Sequence, residues 1–219
     1  VAVNAGSRDE DSSHHGLAHF VEHTIFKGTA RRRSWQIASR MEEVGGEINA
    51  YTSKEETMVY TNAPAGFEER AIELLADLVG GSCFPKDEID REREVVTEEI
   101  NSYLDSPSDS VYDEFEELAY AGSGLAHNIL GSRDSVASLT GDDCRGFLDM
   151  YYTPANMVVY CCSPLDPQRL YRQVEKHFGS LHFPAPTHTR VAPPEMAAFD
   201  ELHNRGTHQA NTIVGARVF

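Results

Sequence analysis

His19-Phe20-Val21-Glu22-His23 places two imidazoles and a carboxylate within a single turn of chain. On a helix, residues four apart share a face, so both rings can reach one ion. Zinc accepts two histidine nitrogens, and a catalytic zinc keeps one coordination position open for water. Glu22, beside the second histidine, could take that water's proton. The order H-x-x-E-H reverses the H-E-x-x-H zinc motif. Composition alone would give such a pentapeptide in about one chain in twenty of this length, so the rest of the chain has to decide. The plain alternative is a helix with two surface histidines and a solvated glutamate.

A third ligand is required, and the segment Pro85 to Asp105 (PKDEIDREREVVTEEINSYLD) offers candidates. Its proline is tolerated in a first helical turn, and Asp87 and Glu88 suit the positive end of a helix dipole. Glu92, Val96, Glu99 and Tyr103 then fall on one face. Carboxylates interleaved with a valine and a tyrosine suit a face turned partly inward, where each needs a metal or an imidazole as partner. A charged surface helix with ordinary side-chain pairs is the plainer reading of the same run.

HFVEH followed by DREREVVTEEI resembles the M16 (pitrilysin-type, inverzincin) zinc metallopeptidases, the group that includes mitochondrial processing peptidase. Gly16-Leu17-Ala18, Phe26-Lys27-Gly28-Thr29 and Gly45-Gly46-Glu47-Ile48-Asn49-Ala50-Tyr51-Thr52 also look like this family, in the expected order. The resemblance covers about Val1 to Gly179. It implies a glutamate ligand in a helix some 75 residues past the second histidine, and 75 residues separate His23 from Glu99. Helix phase agrees, since Glu98 points about 100° away from the face that Glu99 shares with Glu92. The resemblance thus implies zinc held by His19, His23 and Glu99, with Glu22 as general base and Glu92 supporting the ligands from behind. The function implied is zinc-dependent hydrolysis of peptide bonds in extended or unfolded segments. A non-catalytic scaffold or partner subunit of an M16-type complex is the competing reading. A zinc enzyme acting on a small molecule is a further one, because fold alone does not fix chemistry.

The strand-forming runs must position these groups. Ile48, Ala50 and Thr52 alternate with Glu47, Asn49 and Tyr51, Thr57 to Thr61 is a second β-prone run, and Ser53 to Glu56 between them predicts a hairpin. An edge strand can take up an extended peptide by main-chain hydrogen bonds. In the resembled family the substrate lies along this strand, which implies Asn49, Ala50 and Thr52 as peptide-binding positions. An ordinary hairpin that only separates core from solvent shows the same alternation.

Periodicity and caps predict helices at His15–Lys27, Ser34–Val44, Phe67–Gly80, Pro85–Asp105, Ser108–Ala121, Asp142–Tyr152 and Pro167–Phe178. Strands are predicted at Val1–Asn4, Met157–Cys162 and Gln209–Phe219. This is an α+β pattern, a mostly antiparallel sheet with helices packed on one face; the resemblance implies the LuxS/M16 peptidase-like fold. The expected division is 1–181 as the zinc-binding domain, 182–206 as a linker or surface arm, and 207–219 as the start of a second half. The proline-, histidine- and threonine-rich run HFPAPTHTRVAPP fits the arm. The resembled enzymes close two similar halves around the peptide, so a second half, fused or separate, is an expected partner beside the peptide substrate; a homodimer is compatible with this.

The 219 residues suffice for one well-buried core or two small ones. Lys and Arg number 19 against 35 Asp and Glu, a net charge of −16. With no basic run beyond Arg31-Arg32-Arg33, nucleic acid is disfavoured as a partner, while basic peptides would be steered inward. Cys83, Cys144, Cys161 and Cys162 lack C-x-x-C spacing and suggest reduced thiols in a cytoplasmic setting, with the mitochondrial matrix or periplasm left open. No apolar run reaches membrane-spanning length. Trp35 and the Phe115, Leu118, Ala119 stripe are expected in the core. His14 and His15 read as surface residues, and His127, in a glycine-rich loop, receives no role.

Overall fold

A computed structural model describes residues 1–179, 181, 189–206 and 208–216. The pivot of the fold is a four-stranded antiparallel sheet of order β2-β3-β1-β4, formed by β1 (Ala2–Val3), β2 (Glu47–Thr52), β3 (Thr57–Asn62) and β4 (Met157–Val158). The β2–β3 hairpin forms where the alternation predicts it, and β2 is an edge of the sheet. Ala50 is buried while Glu47, Asn49 and Tyr51 face solvent, so the period-two pattern does separate two faces. Between the strands, Ser53 Oγ accepts from the Glu56 amide and donates to the Glu56 carbonyl, closing the turn locally.

Eight α-helices are described: α1 (Leu17–Thr24), α2 (Ser34–Glu42), α3 (Glu68–Gly81), α4 (Lys86–Leu104), α5 (Pro107–Ala119), α6 (Arg133–Ser138), α7 (Gly141–Tyr151) and α8 (Pro167–Phe178). Helices α1, α2 and α3 pack on β2 and β3, giving the α+β architecture. Their starts follow local chemistry. Thr140 accepts from the Asp143 amide to cap α7, and Asp166 accepts from two amides to cap α8, which has Pro167 in its first turn. Helix α4 begins after Pro85, and Ile89, Glu92, Val96 and Ile100 form its buried stripe.

Helix α1 is shorter than predicted. Gly16 adopts a left-handed φ of 94° before it, and the Thr24 hydroxyl folds back on the Phe20 carbonyl at its last turn. Leu17, Ala18, His19, Phe20, Val21 and Thr24 are all buried, which makes α1 a core helix packed against α4, α7 and β2. The short α6, capped by Ser132, is an element that periodicity missed, because six residues give too few repeats to register.

Other expectations require correction. The strand predicted over Gln209–Phe219 is absent from its described part: residues 209–216 are irregular and nearly all exposed, and 217–219 lie outside the described residues. A β-prone run forms a strand only where it pairs with an edge, and residues 209–216 pair with none. The strand over Met157–Cys162 is reduced to β4. Trp35 is not core but 64% exposed, on the outer face of α2, whose buried residues are Ile37 and Met41. In the α5 stripe only Ala119 is buried; Phe115 is half-buried beside the ring of Phe199. The HFPAPTH run of the expected arm, residues 182–188, lies outside the described residues. All four cysteines are free, and no described helix is long and apolar enough to cross a membrane.

Candidate metal centre

Helices α1 and α4 bring the polar residues of both motifs to one place. His19 is buried on α1, whereas Glu22 and His23 are half-buried at its open side. The two imidazole rings meet edge-on, with centroids 4.5 Å apart. From α4, Glu99 Oε2 lies 3.3 Å from His23 Nε2 and 3.7 Å from His19 Nε2. One ligand atom from each of the three lies within 4.8 Å of the other two, the one such group of metal-ligating side chains among the described residues.

Hydrogen bonding sets which atoms are available. Glu92, buried two turns before Glu99, places Oε1 2.9 Å from His23 Nδ1. A carboxylate only accepts, so Nδ1 carries the proton and the Nε2 lone pair of the neutral ring is left facing Glu99. The other oxygen of Glu92 is 2.6 Å from Lys27 Nζ. Burial pushes the Glu92 carboxyl up, but His23 and Lys27 outweigh it and hold the group below the usual carboxylate range. Burial, with His23 as a secondary cause, takes His19 down to about 3, so its ring is neutral at physiological pH. His23 moves the other way: burial opposes its charge, but the bond to Glu92 and the charges of Glu99, Glu92 and Glu22 prevail.

Glu22 is raised by burial and by Glu99, with Thr52 and His23 in opposition. The Thr52 hydroxyl makes no hydrogen bond of ordinary geometry, so its influence is that of a close neighbour. A raised carboxylate is a stronger base, and this one borders the His23 ring. The donor set is two imidazole nitrogens and a carboxylate oxygen, with one imidazole anchored from behind by a buried carboxylate. That set fits zinc.

The sheet enters the site through β2, which packs against α1. Thr52 is half-buried beside Glu22, Ala50 is buried, and Asn49 is exposed with its Oδ1 accepting from the Ala50 amide. Sequence reading passed over Lys27, which follows His23 by four residues, just past the end of α1. It also passed over Glu10, which reaches the start of α1 from a preceding loop and has no periodic signal.

The α+β scaffold thus carries a histidine–histidine–glutamate cluster that could hold a metal ion. Residues 1–133 match the family profile described as Insulinase (Peptidase family M16), and residues 138–217 match the one described as Peptidase M16 inactive domain. The chain belongs to peptidase family M16. It is 34% identical to an uncharacterized zinc protease of Bacillus subtilis, YmxG, over 98% of this chain and 52% of that protein. It is also 34% identical to the mitochondrial-processing peptidase subunit beta of Lentinula edodes, over 83% of this chain and 39% of that one. A protease structure from Helicobacter pylori superposes with a TM-score of 0.78 at 28% identity, covering 90% of this chain and 47% of the other. The chain spans about half the length of the curated relatives it matches.

Proposed function

We propose that this chain is the zinc-bearing part of a metalloendopeptidase that cleaves extended or unfolded peptide segments. The reading rests on one observation above others: His19, His23 and Glu99 present ligand atoms within 4.8 Å of one another beside Glu22. His19 and His23 supply neutral Nε2 donors, Glu99 supplies an anionic oxygen, and Glu92 fixes the His23 tautomer. Zinc bound there would act as a Lewis acid toward the scissile carbonyl and make water more acidic. Glu22 accepts the proton from water during attack and delivers it to the leaving amine. The open edge of β2 supports a peptide laid along Asn49, Ala50 and Thr52 by main-chain hydrogen bonds. Full activity draws on a second half, consistent with relatives about twice as long; in this reading 1–181 is the zinc domain, 182–206 an arm and 207–219 the opening of that half. The inactive-domain profile matches residues past 137, outside the stretch that carries every metal donor. The test is cleavage of a quenched peptide library by the full-length protein. Cleavage abolished by a chelator and restored by zinc is the expected result; cleavage indifferent to chelation would overturn the reading.

A further inference from the structure

The start of α1 is held by groups that the metal chemistry does not use. Gly16, at the helix N-cap, has no side chain with which to satisfy the first free amides. Glu10 does so from the preceding loop: Oε2 accepts from the Gly16 amide at 2.8 Å and Oε1 from the Ala18 amide at 2.7 Å. Its side chain is fully buried, and its third partner is His127 Nε2 at 3.0 Å. The His127 ring lies flat on His15, with centroids 3.8 Å apart and planes 3° from parallel. The backbones are in contact as well. A Cβ on Gly131 would meet the His15 carbonyl at 2.3 Å, and one on Gly16 would meet the Leu130 carbonyl at 2.6 Å. The His127 carbonyl in turn accepts from Lys54 Nζ, at the tip of the β2–β3 hairpin.

We propose that Glu10 and His127 form a lock that sets the position of α1, and so act as positioning residues for His19, Glu22 and His23. Ala18, bonded to Glu10, immediately precedes His19, so a shift at this amide moves the first ligand directly. Through His127 and Lys54 the same lock ties the metal helix to the hairpin carrying the peptide edge. Its consequence for zinc rests on the proposed function; its effect on the helix does not.

The test uses full-length protein with His127→Ala and His127→Gln, reading zinc affinity by chelator competition and hydrogen exchange over residues 14–24 and over α3. His127→Ala is expected to weaken zinc about tenfold, as losses of an outer-shell support do. It should speed exchange at the start of α1 while leaving α3 unchanged. His127→Gln, whose amide N–H can reach Glu10, should recover most of both. Wild-type zinc affinity and wild-type exchange in His127→Ala would overturn the lock, as would faster exchange spread equally through α1 and α3. Glu10→Gln should be more severe than His127→Ala; if that variant does not fold, the two His127 variants are sufficient to decide. Should the unaltered protein hold no zinc, the proposed function fails while the exchange result still judges the lock.

Discussion

Two clusters of charged and polar side chains, drawn from interleaved stretches of residues 19–99, are built differently. In one, Arg32 donates to both oxygens of Glu73 and to Asp77, Arg31 and Arg40 add to Glu73, and the Thr29 hydroxyl adds to Asp77. Here cations and anions face each other, and the carboxylates commit their lone pairs to guanidinium groups. In the other, Glu99 Oε2 faces the Nε2 atoms of His23 and His19 at 3.3 and 3.7 Å. Lys27 is bonded to Glu92, behind His23. A cluster that only stabilises pairs its charges; one that binds an ion leaves acceptors converging on a common point. The first cluster also accounts for the basic run Arg31-Arg32-Arg33: two of its three arginines serve internal ion pairs.

The difference between the clusters can be broken most sharply at Glu22. Glu22→Gln in the full-length protein should keep zinc and lose peptide hydrolysis by about a thousandfold, the scale of a removed general base. Retained peptidase activity would take Glu22 out of that role and leave the converging acceptors without a catalytic consequence.

Next in size is the choice between adjacent carboxylates on α4. Glu99→Gln should weaken zinc by more than the roughly 10- to 100-fold expected for an outer-shell loss. Glu98→Gln should change it little, because Glu98 bonds Asn101 on the solvent side. Equal zinc content in the two variants would defeat the ligand assignment. Glu92→Gln is expected between them, within about 10- to 100-fold, since it disturbs the His23 tautomer without removing a donor.

How much of the molecule is legible in its sequence follows from the range over which each interaction acts. The H-x-x-E-H turn, the face shared by Glu92 and Glu99, and the β2–β3 alternation are local patterns, and each reappears in the fold at the expected residues. Trp35 went wrong because α2 turns Ile37 and Met41 inward, leaving a large aromatic outside that hydrophobicity alone would bury. The strand read into Gln209–Phe219 failed because strand formation depends on a neighbouring edge that composition does not encode. Glu10 and His127 were illegible for a third reason: they meet across 117 positions of sequence, and neither has a periodic partner.

The smallest effects should come from the paired cluster, and they sharpen the contrast by leaving zinc alone. Glu73→Gln removes the anion that three arginines share, while Asp77 still holds Arg32. The expected loss is about 2 kcal/mol of stability, within the range for stranding buried polar partners. For a chain of this size that is a fall of roughly 4–8 °C in Tm. Zinc affinity should be unchanged, and a parallel loss of zinc would show the two clusters to be one unit. A pH series gives the finer test. Burial alone would raise Glu73, but the bonds to Arg32 and the charges of Arg32, Arg31 and Arg40 leave it below its ordinary 4.5. A carboxylate depressed in the folded state binds protons more readily when unfolded. Its contribution is therefore complete above pH 4.5 and is lost as the pH falls through the depressed value. The stability difference between wild type and Glu73→Gln, measured by denaturant melts, should accordingly be flat at neutral pH and shrink below 4.5. A difference that stays constant into strong acid would mean that the arginines hold α3 by packing and not by charge.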